Sequence, residues 1–285
     1  MRGKTSILHL VPVFLTFLST IISFHVFSAS RVLILEGSPF ATEETPEATL
    51  YNLVLFLGLV LVGTIIMLII VIFKKINFLK MFFLLGTSLM VFSIVDLYLA
   101  SLEYLGVLLL DDLTYFTILF LATASSIYLI YGVENEVVPM LLTIFYTSSV
   151  GVVFAILLPF QSIILIAVVM AAYDVYSVFK GPLKKLVDTL SPGNIPVGSN
   201  GRNILKGAVA TFRGLSIGAG DIIFYSMYTT LALDKGGIMA SIGVILAIIL
   251  GVYITLKMLE KRKAMPALPI PIALATPLII LLYCM

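Results

Sequence analysis

The sequence predicts an all-α fold: a polytopic integral membrane protein with nine transmembrane helices, its N-terminus cytoplasmic and its C-terminus extracellular. Three observations predict it. First, 61% of the 285 residues are hydrophobic and 11% are charged, against an apolar share of about 45–50% in soluble domains. Mean hydropathy is +1.18. Second, apolar runs of bilayer-crossing length recur along the whole chain. Third, the connections between them divide into a basic and an acidic set.

The runs fall, in order, at about 6–28, 49–73, 81–101, 113–132, 137–158, 161–179, 214–233, 236–256 and 267–284. The first has features of a signal peptide: Arg2 and Lys4 precede it and Ser28-Ala29-Ser30 close it. Its apolar part exceeds the usual length of about 7–15 residues, so it is read as a retained span. Pro139 stands near the start of the fifth run, where a proline is tolerated because the first turn needs no N–H partner.

With the N-terminus inside, every one of the 17 basic residues except Arg31 and Lys235 falls on the inner side. The outer connections carry Glu36, Glu43, Glu44, Glu47, Glu103, Asp111 and Asp112. This is the positive-inside pattern, and it fixes the predicted orientation. The inner connection from Gly132 to Glu136 holds two glutamates and no base; acidic residues weigh little in that rule, and they suit the start of a helix.

The longest inner connection, 181–213, contains Ser191-Pro192-Gly193-Asn194 and Gly198-Ser199-Asn200-Gly201. Turn formers in that density predict a flexible cytoplasmic loop. It separates an N-terminal six-helix block, 1–180, from a C-terminal three-helix block, 214–285.

Residue types limit the chemistry. The single cysteine, Cys284, excludes an intrachain disulfide and a cysteine metal cluster. The two histidines, His9 and His25, share the first run, and no His-Glu-x-x-His occurs. Ser199 has no base beside it in sequence. No metal and no cofactor is expected.

Three aspartates lie well inside runs: Asp96, Asp174 and Asp221. A charge at the centre of a membrane helix costs about 2.5–3.5 kcal/mol on insertion scales, so such residues serve a purpose. Asp174 lies six residues before Lys180, about 9 Å along a helix, and Asp221 eight residues beyond Arg213, about 12 Å. They are therefore expected at similar depth near the inner face. Asp96, sixteen residues from Lys80, lies about 24 Å in, near the outer side, and is expected to pair with a polar neighbour. Two facing carboxyls in a low-dielectric site share one proton, the arrangement of aspartic proteases; a proton relay in a transporter uses similar groups.

Tyr173-Asp174 in the sixth run, Gly218-Ala219-Gly220-Asp221 at the seventh and Pro266-Ala267-Leu268-Pro269 before the ninth stand in a fixed order. This trio resembles the presenilin and signal peptide peptidase family of intramembrane aspartyl proteases, and is closest to its microbial, archaeal presenilin-type members. The resemblance covers about 160–285 by motif and the whole chain by span count. Pro269 after Pro-Ala-Leu and the predicted orientation are similar to the presenilin branch. The 181–213 stretch is shorter than the self-cleaved loop of eukaryotic presenilins, so self-cleavage is not carried over.

The resemblance implies a catalytic pair, Asp174 and Asp221. It also implies active-site support from Tyr173, Gly218 and Gly220, and a substrate-binding segment, Pro266, Ala267 and Leu268. Gly218 and Gly220 are expected to leave room near Asp221 for water or another backbone. Proline at 266 and 269 biases the segment toward an extended backbone, which is allowed at membrane depth only beside protein or a water cavity. The implied partners are single-span membrane protein substrates and the lipid bilayer of the cell membrane. No nucleic acid is implied, and a homo-oligomer is compatible. The alternative is an ion or proton-coupled transporter or channel using the same carboxylates. Prepilin-type peptidases share a Gly-x-Gly-Asp element but lack the Pro-Ala-Leu segment.

Overall fold

The computed structural model describes residues 7–35, 38–73, 75–181, 205–260 and 265–284. A 3₁₀ turn (Ile7–Leu10) leads into α1 (Val11–Ser30) and the short α2 (Val32–Leu35). Then follow α3 (Pro46–Ile72), α4 (Ile76–Tyr104), α5 (Asp112–Tyr131), α6 (Val137–Leu157) and α7 (Phe160–Phe179). A hairpin, β1 (Val209–Phe212) and β2 (Leu215–Gly218), precedes α8 (Ala219–Leu259) and α9 (Pro269–Cys284).

Among the described residues seven helices are long and apolar enough to cross a membrane: α1 and α3 to α8. The chain is a multi-pass membrane protein. α9 is apolar but has 16 residues. α8 has 41 residues, and Gly237 inside it sits at φ 64°, ψ −161°. That region is open almost only to glycine, and it splits α8 into two arms. The break falls at Gly237 rather than at the expected gap between 233 and 236.

The helix starts follow local chemistry. Pro12 and Pro46 occupy first-turn positions of α1 and α3, and the Thr45 side chain accepts from the N–H of Ala48. Asp111 caps α5: its carboxylate accepts from the Thr114 hydroxyl at 2.6 Å and from the Thr114 N–H. These bonds hold its carboxyl below the ordinary carboxylate range.

The hairpin corrects two expectations. β1 and β2 are antiparallel, with Val209 opposite Gly218 and Phe212 opposite Leu215. Arg213 and Gly214 turn the chain with φ of 49° and 81°. Positive φ at both central residues matches the right-handed twist of the two strands. The seventh membrane helix therefore begins at Ala219, not at 214. The 181–213 connection contains β1, so it is not structureless throughout. The reason is length: a four-residue stretch such as Leu215 to Gly218 reads equally as strand or helix end. The rest of the expected flexible loop, 182–204, lies outside the described residues. Lys206 ties the hairpin stem to α5, its ammonium donating to the carbonyls of Tyr131 and Val133 at 3.3 and 3.1 Å. A cation at a helix C-terminus is favoured by the helix dipole.

The first arm of α8 is the centre of the molecule. Every residue from Phe224 to Leu233 is buried, enclosed by α6, α1 and α9. By contrast, α3 exposes Val54, Leu59, Val62 and Ile65, as expected of a face in contact with lipid. Two glycines let backbones approach. A Cβ on Gly151 of α6 would strike the Ile223 carbonyl oxygen and lie 2.6 Å from Ser226 Cβ. A Cβ on Gly251 of α8 would lie 2.5 Å from Pro271 Cα. Such close crossings replace the hydrophobic drive that lipid removes. A hydroxyl seam runs beside them: Thr20 bonds Ser226 at 2.9 Å, Ser148 donates to Ser19 at 2.6 Å, and Ser23 bonds Ser149 at 2.9 Å and Tyr98 at 2.6 Å.

Candidate active site

α7 carries Tyr173 and Asp174 near its C-terminal end. Gly218, the last residue of β2, is extended (φ −67°, ψ 144°) and is the N-cap of α8. Asp221 is therefore the third residue of that helix. Its depth does not follow from helical rise counted from Arg213, because Leu215 to Gly218 is strand. Its side chain turns back toward the backbone N–H of Gly218. The third position is where a capping box places the acidic side chain that turns back to the N-cap amide. A carboxylate there also faces the positive end of the helix dipole.

The two glycines differ. A Cβ on Gly218 would lie 3.2 Å from Asp221 Oδ2. The space at Gly218 is thus taken by the Asp221 carboxylate itself, rather than by water or a second backbone. A Cβ on Gly220 would meet nothing within 4 Å, and Gly220 is exposed. The room beside Asp221 is on that side.

Asp174 meets the segment before α9. The Leu268 N–H donates to Asp174 Oδ2 at 3.1 Å, and the Ala267 amide also faces this carboxylate. Pro266 and Pro269 carry no N–H. The stretch Pro266 to Pro269 therefore has two amide donors, and both are directed at Asp174. Leu268 also precedes α9, so Asp174 lies at that helix's positive end. Pro266 and Leu268 are buried, and Ala267 is half-buried.

Asp174 and Asp221 are both half-buried, and close enough for the charge on one to act on the other. The structure thus brings the two aspartates together with Gly218, Ala267 and Leu268. Tyr173 looks elsewhere: its hydroxyl donates to Thr64 of α3 at 3.3 Å. Asp96 is apart from this group and accepts from the Tyr115 hydroxyl at 2.7 Å. His25 bonds the Ile21 carbonyl of its own helix.

One residue beside the pair was not singled out from sequence. Tyr225 lies one helical turn after Asp221, is fully buried, and interacts electrostatically with both carboxylates. Its hydroxyl donates to the Ala267 carbonyl at 3.0 Å. Spacing by four puts it on the Asp221 face, a signal present in the sequence; its partner 42 residues on is not.

A presenilin family model matches residues 199–284, a stretch that holds Gly218 to Asp221 and Pro266 to Leu268. Over 224 residues the chain is 28% identical to Presenilin-B of Dictyostelium discoideum. That alignment covers 76% of this chain and 46% of the relative, so the chain spans less than half of that protein's length. In fold it is similar to a solved presenilin family intramembrane aspartate protease. The TM-score is 0.65 at 15% identity, covering 96% of this chain and 98% of the other.

Proposed function

We propose that this presenilin-like chain is an intramembrane aspartyl endopeptidase, hydrolysing peptide bonds within or near transmembrane segments of membrane proteins. The observation that carries this reading is the pairing of Asp174 with Asp221 at two helix N-termini inside the helical bundle. Two such carboxyls hold one proton between them. The unprotonated one takes a proton from water as the water oxygen attacks the scissile carbonyl. The protonated one gives its proton to the carbonyl oxygen. The resulting diol collapses: the carboxylate that gave its proton takes one back from a diol hydroxyl, the C–N bond breaks, and the proton taken from water passes to the leaving nitrogen, which returns the pair to one shared proton. Asp174 and Asp221 are the catalytic pair in this proposal. Gly218 leaves room for the Asp221 carboxylate, Gly220 keeps its flank open, and Tyr173 steadies α7 against α3.

Counting the two arms of α8 separately, and α9 as a crossing, gives nine spans. The placement of basic residues supports a cytoplasmic N-terminus, an extracellular C-terminus and a catalytic pair near the inner face of the cell membrane. The substrate is a single-span membrane protein whose helix unwinds locally. β2 pairs only with β1 among the described residues, and its outer edge leads straight to Asp221. An extended substrate laid along that edge, against Pro266 to Leu268, would bring its backbone to the carboxylates.

The test is cleavage of a single-span substrate by purified enzyme in liposomes. Asp174→Asn and Asp221→Asn each abolish product. Near wild-type cleavage by either variant removes the pair from the mechanism, and ion flux that depends on both aspartates without peptide products indicates a transporter.

A further inference from the structure

One peptide group lies between the two aspartate-bearing helices. Its carbonyl, on Ala267, accepts from Tyr225 of α8 at 3.0 Å. Its N–H, on Leu268, donates to Asp174 of α7 at 3.1 Å. A peptide unit is planar, so fixing its C=O direction fixes its N–H direction. Tyr225 is a rigid, fully buried side chain on the same helix as Asp221. Its position is set by the element that sets Asp221.

From this geometry we infer that Tyr225 is a positioning residue for the proposed reaction: through the Ala267–Leu268 peptide it orients the Asp174 carboxylate relative to Asp221. The inference rests on the protease reading. The alternatives for that peptide are few. Proline at 266 and 269 removes neighbouring amide donors, and Ala267 and Leu268 form a bend ahead of α9 rather than part of a helix. Without the phenol hydroxyl the Ala267 carbonyl would lose this partner at a depth where unpaired backbone is unfavourable. The peptide would then be free to rotate, and its N–H would leave Asp174 Oδ2. A second buried tyrosine, Tyr228, provides the contrast. It lies on the same arm of α8, but its hydroxyl bonds Thr276 of α9 at 3.0 Å, away from the Ala267–Leu268 peptide.

The experiment compares Tyr225→Phe and Tyr228→Phe in the full-length protein, alongside Asp174→Asn and Asp221→Asn, on one single-span substrate. Tyr225→Phe lowers kcat about 10- to 100-fold, the scale of a misplaced catalytic group, with KM close to wild type. Tyr228→Phe keeps both constants. Melting temperature, read in the same detergent, separates this from lost packing: equal melting of the two Phe variants with unequal kcat supports positioning. If the Asn variants are inactive and Tyr225→Phe keeps wild-type kcat, the role of Tyr225 is overturned and the dyad stands. If the Asn variants stay active, the protease reading fails first. Should Tyr225→Phe not fold, 3-fluoro- and 3,5-difluorotyrosine at 225 retain the ring and hydroxyl while making the donor stronger. A kcat that changes progressively through the series supports the role, and a flat series overturns it.

Discussion

Gly251 and Pro271 touch backbone to backbone. A Cβ on Gly251 would stand 2.5 Å from Pro271 Cα and 2.7 Å from its nitrogen, and neither atom can swing aside. Pro271 is three residues after Leu268, whose N–H holds Asp174. This crossing therefore sets how closely the start of α9, just after the Pro266–Leu268 segment, sits against the second arm of α8.

Gly251→Ala is expected to push the start of α9 outward. Overpacking of this kind costs about 1–3 kcal/mol, to be read as a lower midpoint of unfolding in detergent. Turnover should fall by a larger factor than that loss of stability alone would cause at a temperature where the variant is folded. Wild-type turnover in a folded Gly251→Ala would show that the segment tolerates displacement.

Gly218→Ala tests the other helix. Its φ of −67° suits alanine, so the fold should hold. The new methyl would lie 3.2 Å from Asp221 Oδ2 and turn the carboxylate. The expected result is a kcat lowered about tenfold or more with an unchanged melting curve. Gly220→Ala, placed in open space, should instead raise KM, because its methyl occupies the approach to Asp221. Equal effects of the two alanines on kcat would argue against this division of roles.

Asp96→Asn should keep most cleavage, because Asp96 pairs with Tyr115 and lies outside the catalytic group. Tyr115→Phe removes that bond and should lower stability by about 0.5–1.5 kcal/mol, as for a typical hydrogen bond. Chemical unfolding in detergent measures it. Complete loss of cleavage in Asp96→Asn would bring this third aspartate into the machinery.

Much of this was legible in the sequence because membrane insertion is a strict filter. A run such as Pro46 to Ile72 can hardly be anything but a spanning helix, and Asp174 and Asp221 stand out where charge is costly. Leu215 to Gly218 reads in sequence as part of the following helix because four residues carry no decisive period. Its pairing with Val209 to Phe212 depends on the two positive-φ residues between them. That the Asp221 carboxylate lies beside Gly218 is not legible in sequence, since a side chain's path back along its own helix is a matter of rotamer. Tyr225 was passed over because its carbonyl partner is far away in sequence and bears no side-chain signature.

The hydroxyl seam along α1 has a consequence for assembly. Thr20 and Ser23 each bond a carbonyl of their own helix, Thr16 and Ser19, as well as a residue of another helix. A lone α1 can thus enter lipid with these groups already satisfied, before α6 and α8 have been synthesised. What it gains later from the seam is correspondingly small, about 0.6 kcal/mol per bond in comparable bundles. Ser and Thr here therefore contribute little to closing the bundle and more to its register, while the close backbone crossings at Gly151 and Gly251 supply packing that only the assembled helices can make.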